Sequence, residues 1–280
     1  MPELPEVETI KETLKQLTLN KTIKEVIIHW PNIIKQPDDT AHFKFLLKNQ
    51  TIRDISRKGK FLLFQLDDYV LISHLRMEGK YSVHPSSEPV KKHTHVIFKC
   101  TDGDELRYND VRKFGTMHVY PKGQEFLNKP LSILGPDPFD EAFTLTYFKN
   151  KLKHTDRVIK SVLLDQTVVA GLGNIYVDET LFKAGVHPLK RAKKLTQKEV
   201  TAIRKHAIET LEGAVKQGGT TIRSYVNSQG DMGMFQQELF VYGQENKACK
   251  SCGQPIVKMK VGGRGTHVCN KCQKLNEVKK

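Results

Sequence analysis

Nowhere in the 280 residues does an apolar run approach the ~18 residues of a membrane-spanning helix, and the first residues lack the basic-then-apolar pattern of a secretory signal. A membrane partner is therefore not expected, and a cytoplasmic protein is. The chain also lacks internal repeats, low-complexity tracts and the strand–helix alternation of a doubly wound sheet. Acids are in short supply, 31 against 45 Lys and Arg, for a net charge of +14. That excess favours a polyanionic partner, and nucleic acid comes before anionic membrane because no basic amphipathic anchor stands out. Cysteine is scarce too. Of five, four crowd at the C-terminal end, where a reducing compartment makes them metal ligands rather than disulfides.

What is present divides the chain. The length suits two domains plus a small appendage. Val7, Ile10, Leu14 and Leu17 recur at helical spacing, with Pro5 suited to a first turn. Short β-rich runs follow near 22–30, 51–56, 60–66, 70–73, 94–100, 105–108 and 116–120, predicting an antiparallel sandwich or barrel with Cys100 as a small core residue. Residues 121–143 hold Pro121, Gly123, Pro130, Gly135, Pro136 and Pro138, the composition of a linker. Helical patterns then occupy 144–153, 158–164, 175–184 and 196–217, the last opened by a capping box of Thr196 and Glu199.

Cys249, Cys252, Cys269 and Cys272 stand as C-x2-C-x16-C-x2-C, the spacing of a four-thiolate zinc ribbon with a hairpin between two knuckles. Four thiolates leave no open coordination position, so one structural Zn²⁺ is expected and no catalysis at the metal. Residues 247–280 carry nine basic side chains against one acid, Glu277. Gly262, Gly263 and Gly265 around Arg264 form a hairpin tip whose backbone can approach a ligand and whose arginine can clamp a phosphate.

Three further stretches carry chemistry. Met1 precedes the small Pro2 and is the kind of residue normally trimmed, which leaves a secondary amine titrating near ~7.7–8.0 rather than lysine's ~10.4. Such an amine forms Schiff bases, and Glu3 and Glu6 are close in sequence to move protons. Gly171-Leu-Gly173-Asn174 opens a helix with Asn174 suited to the N-cap, either as a plain cap or as an anion site. In the β-rich half, Arg57-Lys58-Gly59-Lys60, His74-Leu-Arg76-Met77-Glu78-Gly79 and Arg112-Lys113-Phe114-Gly115 set apolar wedges beside cations, a means of unstacking duplex DNA. A Gly-, Ser- and Thr-rich segment from Gly218 to Gly233 suits a lid over an extruded base.

The Pro-Glu-Leu-Pro-Glu start, Lys60, His-Leu-Arg-Met-Glu-Gly, Asp-Val-Arg-Lys-Phe-Gly, Gln-Thr-Val-Val-Ala-Gly-Leu-Gly-Asn-Ile-Tyr and the four-cysteine ribbon occur in one order. In this the chain resembles the bacterial formamidopyrimidine-DNA glycosylases over essentially its whole length. The related endonuclease VIII branch begins Pro-Glu-Gly-Pro-Glu and lacks the Met/Arg/Phe set.

The resemblance implies an α+β multidomain fold. Its parts are an N-terminal antiparallel β-sandwich (1–132), a helix-two-turn-helix domain with a lesion-recognition loop (133–237) and a zinc ribbon (238–280), with DNA in the cleft between. It implies a bifunctional DNA glycosylase/AP lyase that excises 8-oxoguanine and formamidopyrimidines from double-stranded DNA, acting as a monomer on the bacterial nucleoid. In family terms Pro2 is the nucleophile, Glu3 the general acid/base, Glu6 its assistant, and Lys60 sits beside the scissile nucleotide. Arg264 joins that catalytic set and holds phosphate. His74, His93, Asn174, Tyr242 and Lys258 bind DNA, while Met77, Arg112 and Phe114 fill the gap left by the extruded base. The rival readings are a non-catalytic zinc-ribbon DNA-binding protein and an RNA-binding or RNA-processing protein. Both leave the Met-Pro-Glu terminus unexplained.

Overall fold

The computed structural model describes residues 1–220 and 233–275. They form two compact units, Met1–Ile133 with Gly218–Gly233, and Leu134–Gln217 with Met234–Lys280. Most of the expected lid, 221–232, and the tail charges Glu277, Lys279 and Lys280 lie outside the described residues.

The first unit starts with helix α1 (Leu4–Thr18), which buries Leu4, Val7, Ile10 and Leu14 completely or nearly so. Two sheets enclose the core. One is four-stranded and antiparallel, in the order β1 (Ile23–Ile28), β7 (Thr94–Cys100), β8 (Asp104–Asn109), β6 (Lys80–Pro85). The other is five-stranded, in the order β2 (Ile34–Gln36), β9 (Thr116–Pro121), β5 (Tyr69–His74), β4 (Phe61–Gln65), β3 (Asp54–Lys58). Val26, Phe98, Leu106 and Tyr108 from the first pack with Ile55, Leu62, Phe64 and Val119 from the second, and Cys100 is buried as expected. At about 25 cal/mol per Å² of apolar area, each such side chain contributes roughly 1.5–3 kcal/mol.

Three elements depart from the sequence reading. Strand β2 is short and pairs parallel to β9, the one parallel contact in an otherwise antiparallel pair of sheets. Strand β6 alternates Lys80, Ser82 and His84 with Tyr81 and Val83, but two inward apolar residues are too few to stand out as a strand. Helix α2 (Thr40–Leu47) spans only two turns, too few for periodicity to show, although its Asp39 cap accepts the N–H groups of Ala41 and His42 at 2.9 and 3.2 Å.

In the second unit α3 (Leu145–Lys153) starts at a Thr144 cap, α4 (Ile159–Leu163) is a short turn, and α6 (Gln197–Lys216) opens with the expected Thr196–Glu199 box. Helix α5 (Asn174–Lys183) is the hub: Ile175 to Phe182 are all buried. Against it packs the hairpin β10 (Val257–Val261) and β11 (Arg264–Val268). Val261 pairs with Arg264, so the hairpin tip is Gly262-Gly263, both at positive φ (55° and 77°), and Arg264 is the first residue of β11 rather than the tip. No helix among the described residues is long and apolar enough to cross a membrane.

Two motif glycines are explained by one tyrosine. A Cβ on Gly79 or Gly115 would stand 2.2 or 1.8 Å from the hydroxyl oxygen of Tyr108, which is completely buried. Gly115→Ala is expected to lower stability by about 2–3 kcal/mol through overpacking. In a denaturant-melt double-mutant cycle, Tyr108→Phe should relieve part of that loss, and strict additivity would refute the clash.

Candidate functional site

Each unit carries one group of the predicted residues. In the first, Pro2 and Glu3 are buried at the start of α1 while Met1 is 45% exposed. Met1 is peptide-bonded to Pro2 here, so the proline nitrogen is an amide. Glu3 is the N-cap and forms a reciprocal capping box with Glu6, whose Oε2 accepts the Glu3 N–H at 2.8 Å. The other Glu6 oxygen, Oε1, accepts the N–H and hydroxyl of Thr220 at 2.8 and 3.1 Å. Gly219 (φ 79°) passes so close that a Cβ would lie 2.6 Å from Oε1. Glu6 thus ties the segment at 218–220 to the first turn of α1.

Lys60 follows Gly59 (φ 56°) in the two-residue turn between β3 and β4, and is only 5% exposed. Arg57 spans from this turn to α1, donating from Nε to Glu8 at 2.7 Å and from Nη1 to the Gly59 carbonyl at 2.9 Å. Burial opposes ionisation of Glu8, but hydrogen bonds from Lys11 and Arg57 outweigh it and hold the carboxyl below its ordinary range. The lysine turn is therefore strapped to α1, the helix that Pro2 and Glu3 lead into. Sequence reading noted Arg57 only as part of a basic run and missed Glu8, whose place one turn after Pro5 was the available signal.

His74 ends β5 at 6% exposure, with the Phe61 ring edge-on at 4.5 Å. Burial, then the charges of Arg76, Lys60 and His118, push its pKa down to about 3. Its Nδ1 accepts the Arg76 N–H at 2.9 Å, so the neutral ring carries its proton on Nε2 and is a hydrogen-bond donor. Met77 and His93 are half-buried. Arg112 and Phe114 are exposed side by side, the guanidinium 4.8 Å from the ring centre.

In the second unit the structure corrects the reading of Asn174. It is the first helical residue of α5, and the cap position belongs to Gly173, which has no side chain to cap with. The Asn174 side chain turns to the hairpin instead and donates to the Gly265 carbonyl at 2.8 Å, with its Oδ1 buried and unpartnered. One turn later Asp178 accepts the His267 N–H at 2.9 Å and pairs with Lys160 at 2.6 Å; both members of that ion pair are wholly buried. Lys160 also donates to the Gly265 carbonyl at 3.2 Å. Four residues of helix rise ~6.0 Å and two of strand ~6.7 Å, so Asn174 and Asp178 meet Gly265 and His267 in step. Glu179 accepts three successive backbone N–H groups, of Phe240, Val241 and Tyr242, each at 2.9 Å.

Tyr242 lies edge-on to His267 with ring centres 4.9 Å apart, and Lys258 is exposed and pairs with Glu245 at 2.9 Å. Arg264 is exposed beside the two-glycine turn. Sequence reading missed Lys160, Asp178 and Glu179; two adjacent acids inside an otherwise apolar helix were the signal.

The four Sγ atoms of Cys249, Cys252, Cys269 and Cys272 lie within 4.8 Å of one another, with contacts of 3.9 and 3.4 Å across the knuckles. A tetrahedral zinc with Zn–S near 2.3 Å needs sulfurs about 3.8 Å apart, so the cluster fits one ion. Burial, followed by the neighbouring thiols, pushes Cys272 up, an imbalance that a divalent cation removes.

Three family models cover the chain. Residues 1–117 match the formamidopyrimidine-DNA glycosylase N-terminal domain, 134–226 its H2TH domain and 246–275 the zinc finger found in FPG and IleRS. The chain belongs to the formamidopyrimidine-DNA glycosylase family. It is 69% identical to the formamidopyrimidine-DNA glycosylase of Oceanobacillus iheyensis over 98% of both chains, and 56% identical to that of Bacillus subtilis over 98% of this chain and 99% of that one. Among solved structures, the Lactococcus lactis Fpg complex with an abasic site containing DNA superposes with a TM-score of 0.90 at 40% identity, covering 98% of this chain and 100% of that one. The wild-type L. lactis complex with N7-benzyl-Fapy-dG containing DNA gives 0.91 at 41%, with the same coverage. The glycosylase fold is thus a β-sandwich, a helical H2TH domain and a four-cysteine zinc finger.

Two measurements follow from this geometry. Chelation should release one zinc per chain and weaken DNA binding, lowering the slope of log affinity against log salt by the ribbon's share of phosphate contacts. Unchanged affinity in the zinc-free protein would argue against a ribbon contact. His74 has a folded pKa below its unfolded ~6.5, so the unfolded chain binds more protons and stability should drop as pH falls from 6.5 towards 3. His74→Gln should flatten thermal melts across that window.

Proposed function

We propose that this glycosylase excises oxidised purines, 8-oxoguanine and formamidopyrimidines, through a Schiff base on the Pro2 amine, and then cuts the strand by β- and δ-elimination. The observation that carries this reading is a likeness at TM-scores of 0.90–0.91, over 98% of the chain, to L. lactis proteins bound to DNA containing N7-benzyl-Fapy-dG or an abasic site. Pro2, Glu3, Glu6, Lys60, His74, Met77, Arg112, Phe114 and Asn174 lie within the motifs that carry the family resemblance. We assign Pro2, Glu3, Glu6, Lys60 and Arg264 to catalysis and His74, His93, Met77, Arg112, Phe114, Asn174, Tyr242 and Lys258 to DNA. The domains divide at 1–132, 133–237 and 238–280, and the protein works as a monomer on nucleoid DNA in the cytoplasm.

The reaction needs a neutral amine. Removing Met1 turns the Pro2 amide into a secondary amine just ahead of α1, whose positive end disfavours protonation. Glu6 opposes this, but its charge is spread over the N–H groups of Glu3 and Thr220. The amine nitrogen attacks C1′ of the extruded nucleoside, and the bond to the base breaks with its electron pair. Loss of the amine proton leaves an N,O-aminal; the C1′–O4′ bond then breaks as O4′ takes a proton, which opens the sugar and leaves an iminium that acidifies the 2′ proton. Elimination then expels the 3′ phosphate and afterwards the 5′ phosphate. Glu3 relays the protons. His74 offers a neutral Nε2–H to a phosphate, and Asn174 at the start of α5 and Arg264 at the start of β11 supply further donors. The bound zinc holds the ribbon's shape through Cys249, Cys252, Cys269 and Cys272. Arg112 donates to N3 and O2 of cytosine, where adenine presents an amino group.

Borohydride trapping tests the chemistry. Protein lacking Met1 is expected to form a covalent adduct with a duplex carrying 8-oxoguanine opposite cytosine, whereas protein retaining a residue before Pro2 should bind the same duplex without trapping. Binding without any adduct from the processed form would support the non-catalytic zinc-ribbon reading instead. Excision opposite cytosine should be much faster than opposite adenine; equal rates would remove Arg112 from partner choice.

A further inference from the structure

Between β8 and β9 the chain turns through residues 110–115, and one side chain organises the turn from inside. Asp110 is completely buried, and each of its polar groups has a partner. Its N–H donates to the His93 carbonyl at 3.0 Å, and its own carbonyl accepts from Lys113 N–H at 3.2 Å and His95 Nε2 at 2.9 Å. The two carboxylate oxygens divide the rest. Oδ1 accepts the Arg112 N–H at 3.0 Å. Oδ2 accepts the N–H groups of Phe114 and Gly115 at 2.9 and 2.8 Å, with the Tyr108 hydroxyl at a weaker 3.4 Å.

This carboxylate holds the backbone of Arg112 and leaves its guanidinium alone. Among the described residues that guanidinium forms no ion pair; it lies against the exposed face of Phe114. Lys113, at φ 59°, closes the turn and points to the other side, its ammonium 4.1 Å from the Trp30 ring. A six-residue loop presenting an exposed arginine and an exposed phenylalanine would otherwise sample many conformers and lose that freedom on binding. Here a buried charge surrounded by donors has already removed it.

We propose that Asp110 is a positioning residue which fixes the Arg112–Phe114 wedge before DNA arrives, and through Oδ1 sets the discrimination of the base opposite the lesion. The proposal rests on the assignment of Arg112 and Phe114 to the gap left by the extruded base. Its two oxygens make the roles separable. In Asp110→Asn one oxygen becomes an NH2 that faces N–H donors. Placing the amide oxygen at the Oδ2 position keeps three donors satisfied and leaves only the Arg112 N–H opposed, whereas the reverse orientation opposes three. The asparagine should therefore release Arg112 while holding Phe114.

The test is single-turnover excision of 8-oxoguanine opposite cytosine and opposite adenine, with a fluorescent base beside the lesion reporting unstacking. In Asp110→Asn the C-over-A rate ratio is expected to fall about tenfold or more, with the unstacking signal retained; in Asp110→Ala both should be lost. Both rates come from one preparation, so a misfolded fraction cancels in the ratio. A ratio in Asp110→Asn equal to that of the unsubstituted protein overturns the proposal. Equal rates in the unsubstituted protein would instead reject the Arg112 assignment itself. Amide hydrogen exchange on the DNA-free protein gives a second arm that needs no variant. The amides of residues 112, 114 and 115 should be protected well above that of Arg112's exposed neighbour Val111, and rapid exchange at Arg112 would refute a preformed wedge.

Discussion

A carboxylate taken out of water costs several kcal/mol unless donors surround it, and in this protein that constraint holds the loops in place. Glu6, Asp110, Asp178 and Glu179 are each 5% exposed or less. All four accept backbone N–H groups: Glu3 and Thr220 on Glu6; Arg112, Phe114 and Gly115 on Asp110; His267 on Asp178; Phe240 to Tyr242 on Glu179. An irregular segment has N–H groups with no ladder or helix to satisfy them. Pairing them with a buried acid satisfies both at once, and charge-assisted bonds are roughly twice as strong as neutral ones. The result is loop backbone held nearly as firmly as strand.

The same constraint explains how charge is distributed. The net charge of +14 is what a polyanion needs, yet the acids are not simply diluted on the surface. Several are inside, where they position backbone. Lys160 shows a further use: with Asp178 it forms a wholly buried, neutral pair that adds nothing to the net charge, and it also donates to the Gly265 carbonyl.

Much of this was legible in the sequence, for stated reasons. The zinc ligands follow from spacing alone, because two C-x2-C knuckles allow little else. Helix α1 and the box at Thr196 follow from periodicity and cap chemistry. The family resemblance rests on residues whose chemistry is specific, Pro2 above all. Asn174 was misread because a good N-cap residue beside Gly173 looks like a cap, and only the hairpin, some ninety positions away in sequence, draws its side chain elsewhere. Strand β6 and helix α2 were missed because their patterns are short, two inward apolar residues in the one and two helical turns in the other. Asp178 and Glu179 were missed, and the structural part of Glu6 and Asp110 with them, for a deeper reason: a carboxylate's partners here are mostly backbone amides, which look the same in every sequence.

The step between α5 and β11 has a consequence for how the chain can vary in length. Asn174 and Asp178 meet Gly265 and His267 because one helical turn and two strand residues advance by similar distances. Adding one residue between 174 and 178 swings the acid about 100° around the helix, and adding one between 265 and 267 turns its partner to the opposite face of the strand. No relaxation elsewhere restores both contacts. These two short segments behave as a vernier: each fixes the length of the other, while the surface connections around them are free to grow or shrink.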